Sequence, residues 1–263
     1  MRRSQDLAPL VRPFASDDRE TLSVQMKRYD ELLSELLDGA RSFKDTVAKT
    51  SGILALNGAS GAGQSYVLER VEELLGNKSI ILPRIYLLGT RSPRPGEGHK
   101  NPYIFVNRTD DGFQDIYHPE VIYHQDDIYY YYQSRPGAAN AILFDDARAA
   151  MKRTMYLETV IPTLLHIKTT QIGEVPPWEE ELRIVYLATP SGQEWLHRLL
   201  NRESSKLESE EYRVTIMGRV ESSIGDMEQA AEHRVPTVLN WHGKGDQAAQ
   251  EILSIWGFQT GSA

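Results

Sequence analysis

Ile53-Leu-Ala-Leu-Asn57 followed by Gly58-Ala-Ser-Gly-Ala-Gly63-Gln64-Ser65 is the stretch on which the reading of this chain turns. The first five residues form a short apolar run closed by a glycine, the pattern of a buried strand. Apolar residues at helical spacing then predict a helix over 65–75. A strand, a glycine-rich turn and a helix start bring backbone N–H groups and the positive helix end to one point, where a phosphate chain can sit. The spacing is that of a P-loop with one departure: Gln64 stands where the motif has Lys. Lysine carries a cation to the terminal phosphates, whereas glutamine offers a neutral amide, and losing such a charge lowers phosphoryl-transfer rates by orders of magnitude. Gly58, Ser60, Gly61, Gly63, Gln64, Ser65 and Tyr66 are therefore candidate phosphate-binding residues. Ser65 is the candidate Mg2+ ligand if a nucleotide binds. The competing reading is a glycine turn that joins strand to helix and holds nothing.

Working outward, short apolar runs alternate with helical stretches. Strands are expected at 80–88, 155–160, 183–188 and 236–240, and helices at 145–153, 193–202, 208–231 and 248–256. Such alternation predicts an α/β fold with a parallel sheet flanked by helices. From Arg91 to Tyr132 the helical spacing disappears and prolines, glycines and aromatics dominate, which marks an inserted subdomain. Upstream, residues 1–16 read as a loose arm. Leu22, Met26, Tyr29, Leu32, Leu33, Leu36 and Leu37 then recur at helical spacing over 17–49, making an amphipathic N-terminal extension. Its stripe could pack on the following domain, or serve a homodimer or another partner. The expected division is 1–50 and 51–263.

Composition narrows the function. The 263 residues are 40% hydrophobic and 25% charged, an ordinary globular balance. A net charge of −8 argues against nucleic acid or an anionic membrane as partner. Without cysteine there is no disulfide, thiolate nucleophile or Cys-bound zinc. No apolar run is long enough to span a bilayer, so a cytoplasmic location is the expectation. The seven histidines are scattered without metal-ligand spacing.

A second motif follows: Thr90-Arg91-Ser-Pro-Arg94-Pro-Gly96-Glu97-Gly98, then Tyr103-Ile-Phe105-Val106. Two arginines three apart in a proline-fixed loop can aim both guanidinium forks at one anion. Both motifs, in this order and at this separation, make the chain resemble guanylate kinase from about Gly52 to Trp256. The resemblance implies ATP and Mg2+ as cofactors, with residues 91–140 as the acceptor-binding subdomain and 196–220 as a helical lid. It assigns the acceptor phosphate to Arg91, Arg94, Tyr103 and Tyr132, and sets Ser134 near the base. Arg198 and Arg202 match the lid arginines that, with Gln64 on the loop, would act in catalysis.

Departures from the family pattern accompany these matches. The glutamate that reads guanine falls on Tyr123, and the usual Asp-Ile-Asp strand end reads Glu158-Thr159-Val160, leaving Glu158 as the nearest stand-in. The later lid Arg-Arg pair falls on Thr215-Ile216, with Arg213 and Arg219 close by. One expectation is a phosphotransferase that moves the ATP γ-phosphoryl to a phosphorylated acceptor other than GMP, with Arg202 or Lys100 replacing the loop lysine. The other is a catalytically impaired module that binds a nucleotide, another phosphorylated small molecule or, like the guanylate-kinase domains of scaffold proteins, a phosphopeptide.

Overall fold

The computed structural model describes residues 6–39, 52–77, 80–94, 96–100, 103–135, 137–202 and 204–258. In chain order the elements are α1 (Ala8–Val11), α2 (Ser16–Gly39), β1 (Gly52–Gly58), α3 (Gln64–Gly76), β2 (Leu88–Gly89), β3 (Ile104–Thr109), β4 (Gly112–Asp115), β5 (Ile122–His124), β6 (Ile128–Arg135), β7 (Ala138–Leu143), α4 (Phe144–Ala150), β8 (Thr154–Leu157), α5 (Ile161–Thr169), β9 (Leu182–Ala188), α6 (Gly192–Asn201), α7 (Glu210–Glu232), β10 (Thr237–Leu239) and α8 (Gly245–Ile255). The architecture is α/β, with a parallel sheet of order β10-β9-β1-β8 flanked by helices. Its strands are short and almost wholly buried, as strands covered on both faces must be.

The chain divides into two compact units, and β1 and β9 each run from one into the other. Among the described residues, the first unit holds α1, α2, the end of β1, α3, most of β9, α6, α7, β10 and α8. Here α2 turns Leu22, Tyr29, Leu32, Leu33 and Leu36 inward and packs on α6 and α7, while Asp17 and Asp18 face its positive end. The apolar stripe of the extension is thus covered by its own chain. Part of the stretch expected to be a loose arm is ordered as well: Ala8–Val11 is helical and Phe14 is buried. The continuation of the extension helix expected to residue 49 lies outside the described residues.

The second unit holds the start of β1, β8 and a mixed six-stranded sheet of order β5-β4-β3-β2-β7-β6. In this sheet only β2 and β3 run parallel. The stretch from Arg91 to Tyr132, expected to be an inserted subdomain, contributes β3, β4, β5 and the start of β6 to this sheet. Alternation along β3 sorts its faces: Ile104 and Val106 join Leu88, Phe113, Ile128 and Ala141 in one apolar cluster. Phe105, between them, points the other way. The strand expected at 80–88 is reduced to Leu88–Gly89 and one bridge from Arg84 to Tyr156, because Pro83 has no amide to donate and contributes only its carbonyl, to the Tyr156 N–H. Helix α5, with Pro162 in its first turn, was not foreseen.

Burial in α2 has a measurable consequence. Leu32→Ala should lower the urea-unfolding free energy by about 2–5 kcal/mol, as for other large-to-small core changes, while exposed Val24→Ala stays within about 0.5 kcal/mol.

Candidate functional site

Strand β1 ends at Gly58, which lies so close to the Leu187 carbonyl that a Cβ there would come within 2.3 Å of it. The chain then turns through Gly61 and Gly63, both left-handed at φ +89° and +90°, and enters α3 at Gln64. Side chains from distant elements hold the loop's carbonyls. The Trp195 indole N–H donates to the Ser60 carbonyl (3.0 Å), and the Asn240 amide donates to the Ala62 carbonyl (2.7 Å). In a planar trans peptide the N–H points opposite to the preceding C=O, so each anchor turns the next amide, of Gly61 or Gly63, to the other side. The Ser60 and Ala62 amides are used internally, by the Ser223 hydroxyl (3.0 Å) and the Ala59 carbonyl (2.8 Å). Those of Gly61, Gly63, Gln64, Ser65 and Tyr66 bond to no described protein atom, and α3 has no side-chain N-cap. Unpaired amides at a helix N-terminus make a receptor for an anion.

Three arginines of α6 and α7 are occupied. Arg198, in α6, donates to Glu194 one helical turn away and to the Asn240 carbonyl (3.0 Å). Arg213 donates to the carbonyls of Leu207 (2.9 Å) and Glu208 (3.0 Å), and Arg219 also has interactions of its own. Arg202 is exposed at the C-terminal cap of α6. Residues expected to form a lid are the end of α6, a 3-10 turn over Ser204–Lys206 and the start of α7.

In the other unit, Arg91 forms a two-pronged pair with Glu97 at 2.6 and 2.7 Å, its guanidinium 4.9 Å from the centre of the Phe105 ring and 5.2 Å from that of Tyr103. Glu97 also accepts the Arg94 amide (2.8 Å), and the Arg91 guanidinium holds its carboxyl below the usual carboxylate range. One of the two expected anion forks is therefore closed on a carboxylate. The Arg94 guanidinium is exposed and pairs with no carboxylate among the described residues. Burial pushes the Tyr103 hydroxyl up, with Glu158 adding to the effect. The Tyr132 hydroxyl accepts from Asn140 (3.1 Å) and bonds closely to Thr159. Glu158 is raised by burial, an effect opposed by its 2.9 Å bond from Arg84.

Tyr123, the position matched to the base-reading glutamate, lies in β5. It packs on the apolar cluster of Ile104 and Val106 and lines a cavity of about 290 Å3 with Tyr86, Lys100, Asp115 and Asp146. Ser134 belongs to β6, and its side chain lies outside the described residues. Among the described residues no group of three or more His, Asp or Glu could hold a metal, and no helix is long and apolar enough to cross a membrane.

A glycine loop between a parallel strand and an uncapped helix in one unit, together with an arginine loop between β2 and β3 in the other, makes up a nucleotide-kinase-like class of fold. Comparison with known proteins narrows this. No family profile matches the chain. Human guanylate kinase is 28% identical over 200 residues, spanning 76% of this chain and 89% of that protein. The crystal structure of guanylate kinase from Anaplasma phagocytophilum superposes with a TM-score of 0.50 at 13% identity, over 80% of this chain and 87% of that one, which speaks to the fold. The chain is guanylate-kinase-like.

Asp146 gives the unit a pH signature. Burial pushes its carboxyl up to about 6 from 3.8, against the pull of Lys100 and Arg153 and with Asp145 adding to the rise. The folded state therefore holds the proton more tightly, and stability falls as pH climbs from about 4 to about 6. Urea midpoints measured across that window should decline less steeply with pH for Asp146→Asn than for wild type.

Proposed function

We propose that the chain is a guanylate-kinase-like module that binds the phosphate chain of a nucleotide at loop 58–65 and in which phosphoryl transfer from ATP is strongly impaired. The observation that carries this is the run of unpaired amides at Gly61, Gly63, Gln64, Ser65 and Tyr66 with a neutral Gln64 among them. Amides and a helix end bind phosphate in ground state and transition state alike; the lysine that would favour the transition state is missing. The paired Arg198 adds to the deficit, since Glu194 already offsets part of its charge and the Asn240 carbonyl holds its guanidinium in place.

ATP suits this loop, because its phosphates bring the acceptors the amides lack. Mg2+ would take the Ser65 hydroxyl at the start of α3 and fill its other positions with phosphate oxygens and water. When bound, the metal neutralises charge on the phosphates. Arg94 supports a second phosphate ligand on the arginine loop, a mononucleotide or another phosphorylated small molecule, with Tyr103 and Tyr132 beside it in the family scheme. A phosphopeptide would use the same guanidinium. The second reading, a working phosphotransferase for an acceptor other than GMP, draws on the exposed Arg202 as substitute cation. Lack of cysteine supports a reducing, cytoplasmic setting.

Calorimetric titration with Mg-ATP and a turnover assay over the common nucleoside monophosphates test the proposal. Wild type should bind ATP and turn over at least about 100-fold more slowly than Gln64→Lys. Ordinary turnover by wild type of a monophosphate other than GMP would establish the second reading instead, ordinary turnover of GMP would overturn both, and so would failure to bind either ATP or pyrophosphate.

A further inference from the structure

We infer that the N-terminal helix α2 is part of the phosphate-loop machinery: through Tyr29 and Trp195 it fixes the peptide planes of the loop, so an extension outside the guanylate-kinase-like stretch sets the loop's affinity for a phosphate chain. The affinity half of this inference rests on the proposed binding at residues 58–65; the brace itself does not.

The connection is continuous. Tyr29 is fully buried in α2, and its ring stacks on Trp195 with centroids 4.7 Å apart and planes 14° from parallel. Trp195, equally buried, uses its one polar atom on the loop, donating to the Ser60 carbonyl at 3.0 Å. The other end of Tyr29 is fastened too. Its hydroxyl accepts the Thr189 N–H at 2.8 Å and bonds the Thr189 hydroxyl at 2.9 Å. One residue on, Asp30 accepts the Gly192 N–H at 2.7 Å. Gly192 sits against the Met26 carbonyl, where a Cβ would come within 2.2 Å. Thr189 and Gly192 bound the corner between β9 and α6, the helix that carries Trp195 and Arg198.

Packing alone does not require these contacts. The leucines at 22, 32, 33 and 36 already bury an apolar face of α2, which packs on α6 and α7. Tyr29 and Asp30 instead spend polar groups on backbone atoms of the corner that sets where α6 begins, and so where the Trp195 indole lies. Burial pushes the Tyr29 hydroxyl up to about 12, so it stays a neutral phenol that can both donate and accept at any working pH. The end of the relay is the Ser60–Gly61 peptide, whose N–H is among the unpaired amides. Releasing the carbonyl frees that plane to rotate, and the amide must then be ordered when a phosphate binds.

Two conservative variants in the full chain test the relay. Trp195→Phe keeps a ring against Tyr29 and deletes the indole donor; Tyr29→Phe keeps the ring and deletes the corner anchor. Hydrogen exchange of the Ser60 and Ala62 amides, both hydrogen-bonded within the described structure, reports loop order without any ligand. Exchange should quicken about tenfold in Trp195→Phe, and Mg-ATP and pyrophosphate should each bind about tenfold more weakly, the scale of one lost hydrogen bond. Because the two residues act in series, the double variant should lose less affinity than the product of the single losses. Val24→Ala, exposed on the same helix, is the control: it keeps wild-type exchange at Ser60 and Ala62 and wild-type Kd. If wild type binds neither probe, the phosphate-loop reading fails while loop exchange still decides the brace. Wild-type exchange at Ser60 and Ala62 in both folded single variants overturns the brace, and should Trp195→Phe not fold, Tyr29→Phe alone decides by the same measurement.

Discussion

The candidate site depends on the grip that Trp195 and Asn240 exert on two carbonyls, of Ser60 and Ala62. A glycine loop is soft by composition, and softness is costly when several amides must converge on one anion. Pinning alternate carbonyls from outside removes that freedom without occupying the amides that follow them. Gly61 and Gly63 then supply the left-handed turns that such a path requires. Their backbone lies against Leu199 and Asn240, so the loop is shaped as much by its own protein as by any ligand it could hold.

Where positive charge is spent separates binding from catalysis. Phosphoryl transfer is catalysed chiefly by cations placed to meet charge as it moves. In this chain the loop position for that cation is Gln64, Arg198 is shared between Glu194 and a carbonyl, and Arg91 is closed on Glu97. Among the described residues of these loops and of α6, that leaves a set of unpaired backbone amides and the exposed Arg202 in one unit, and the exposed Arg94 in the arginine loop of the other.

Much of the fold was legible from periodicity, since β1, α3, β9, α6, α7 and α8 are long or strongly patterned and read within a few residues of their limits. The failures have identifiable causes. Pro83 interrupts an apolar run that otherwise reads as one strand, and the short antiparallel strands β3 to β7 are paired by partners that local pattern does not name. Facing within the sheet was equally out of reach: Ile104 and Val106 join the apolar cluster on which Tyr123 packs, while Phe105, beside Arg91, takes the opposite side of β3. A single residue of register decides which face a strand side chain occupies, and sequence matching does not hold register across a loop.

The sequence by itself determined the glycine loop at 58–65, with Gln64 in it, and the arginine loop, because each is a local spacing of residue types that dictates local backbone geometry. Only the tertiary structure decided what those groups are tied to. Trp195 lies 135 residues from Ser60, and Asn240 lies 178 residues from Ala62. Tyr29 reaches the corner at Thr189 across 160 residues, and no spacing rule links such positions. A tryptophan or an asparagine looks the same in sequence whether it fills a core or orients a loop; the difference arises when folding sets its one polar atom beside a particular carbonyl.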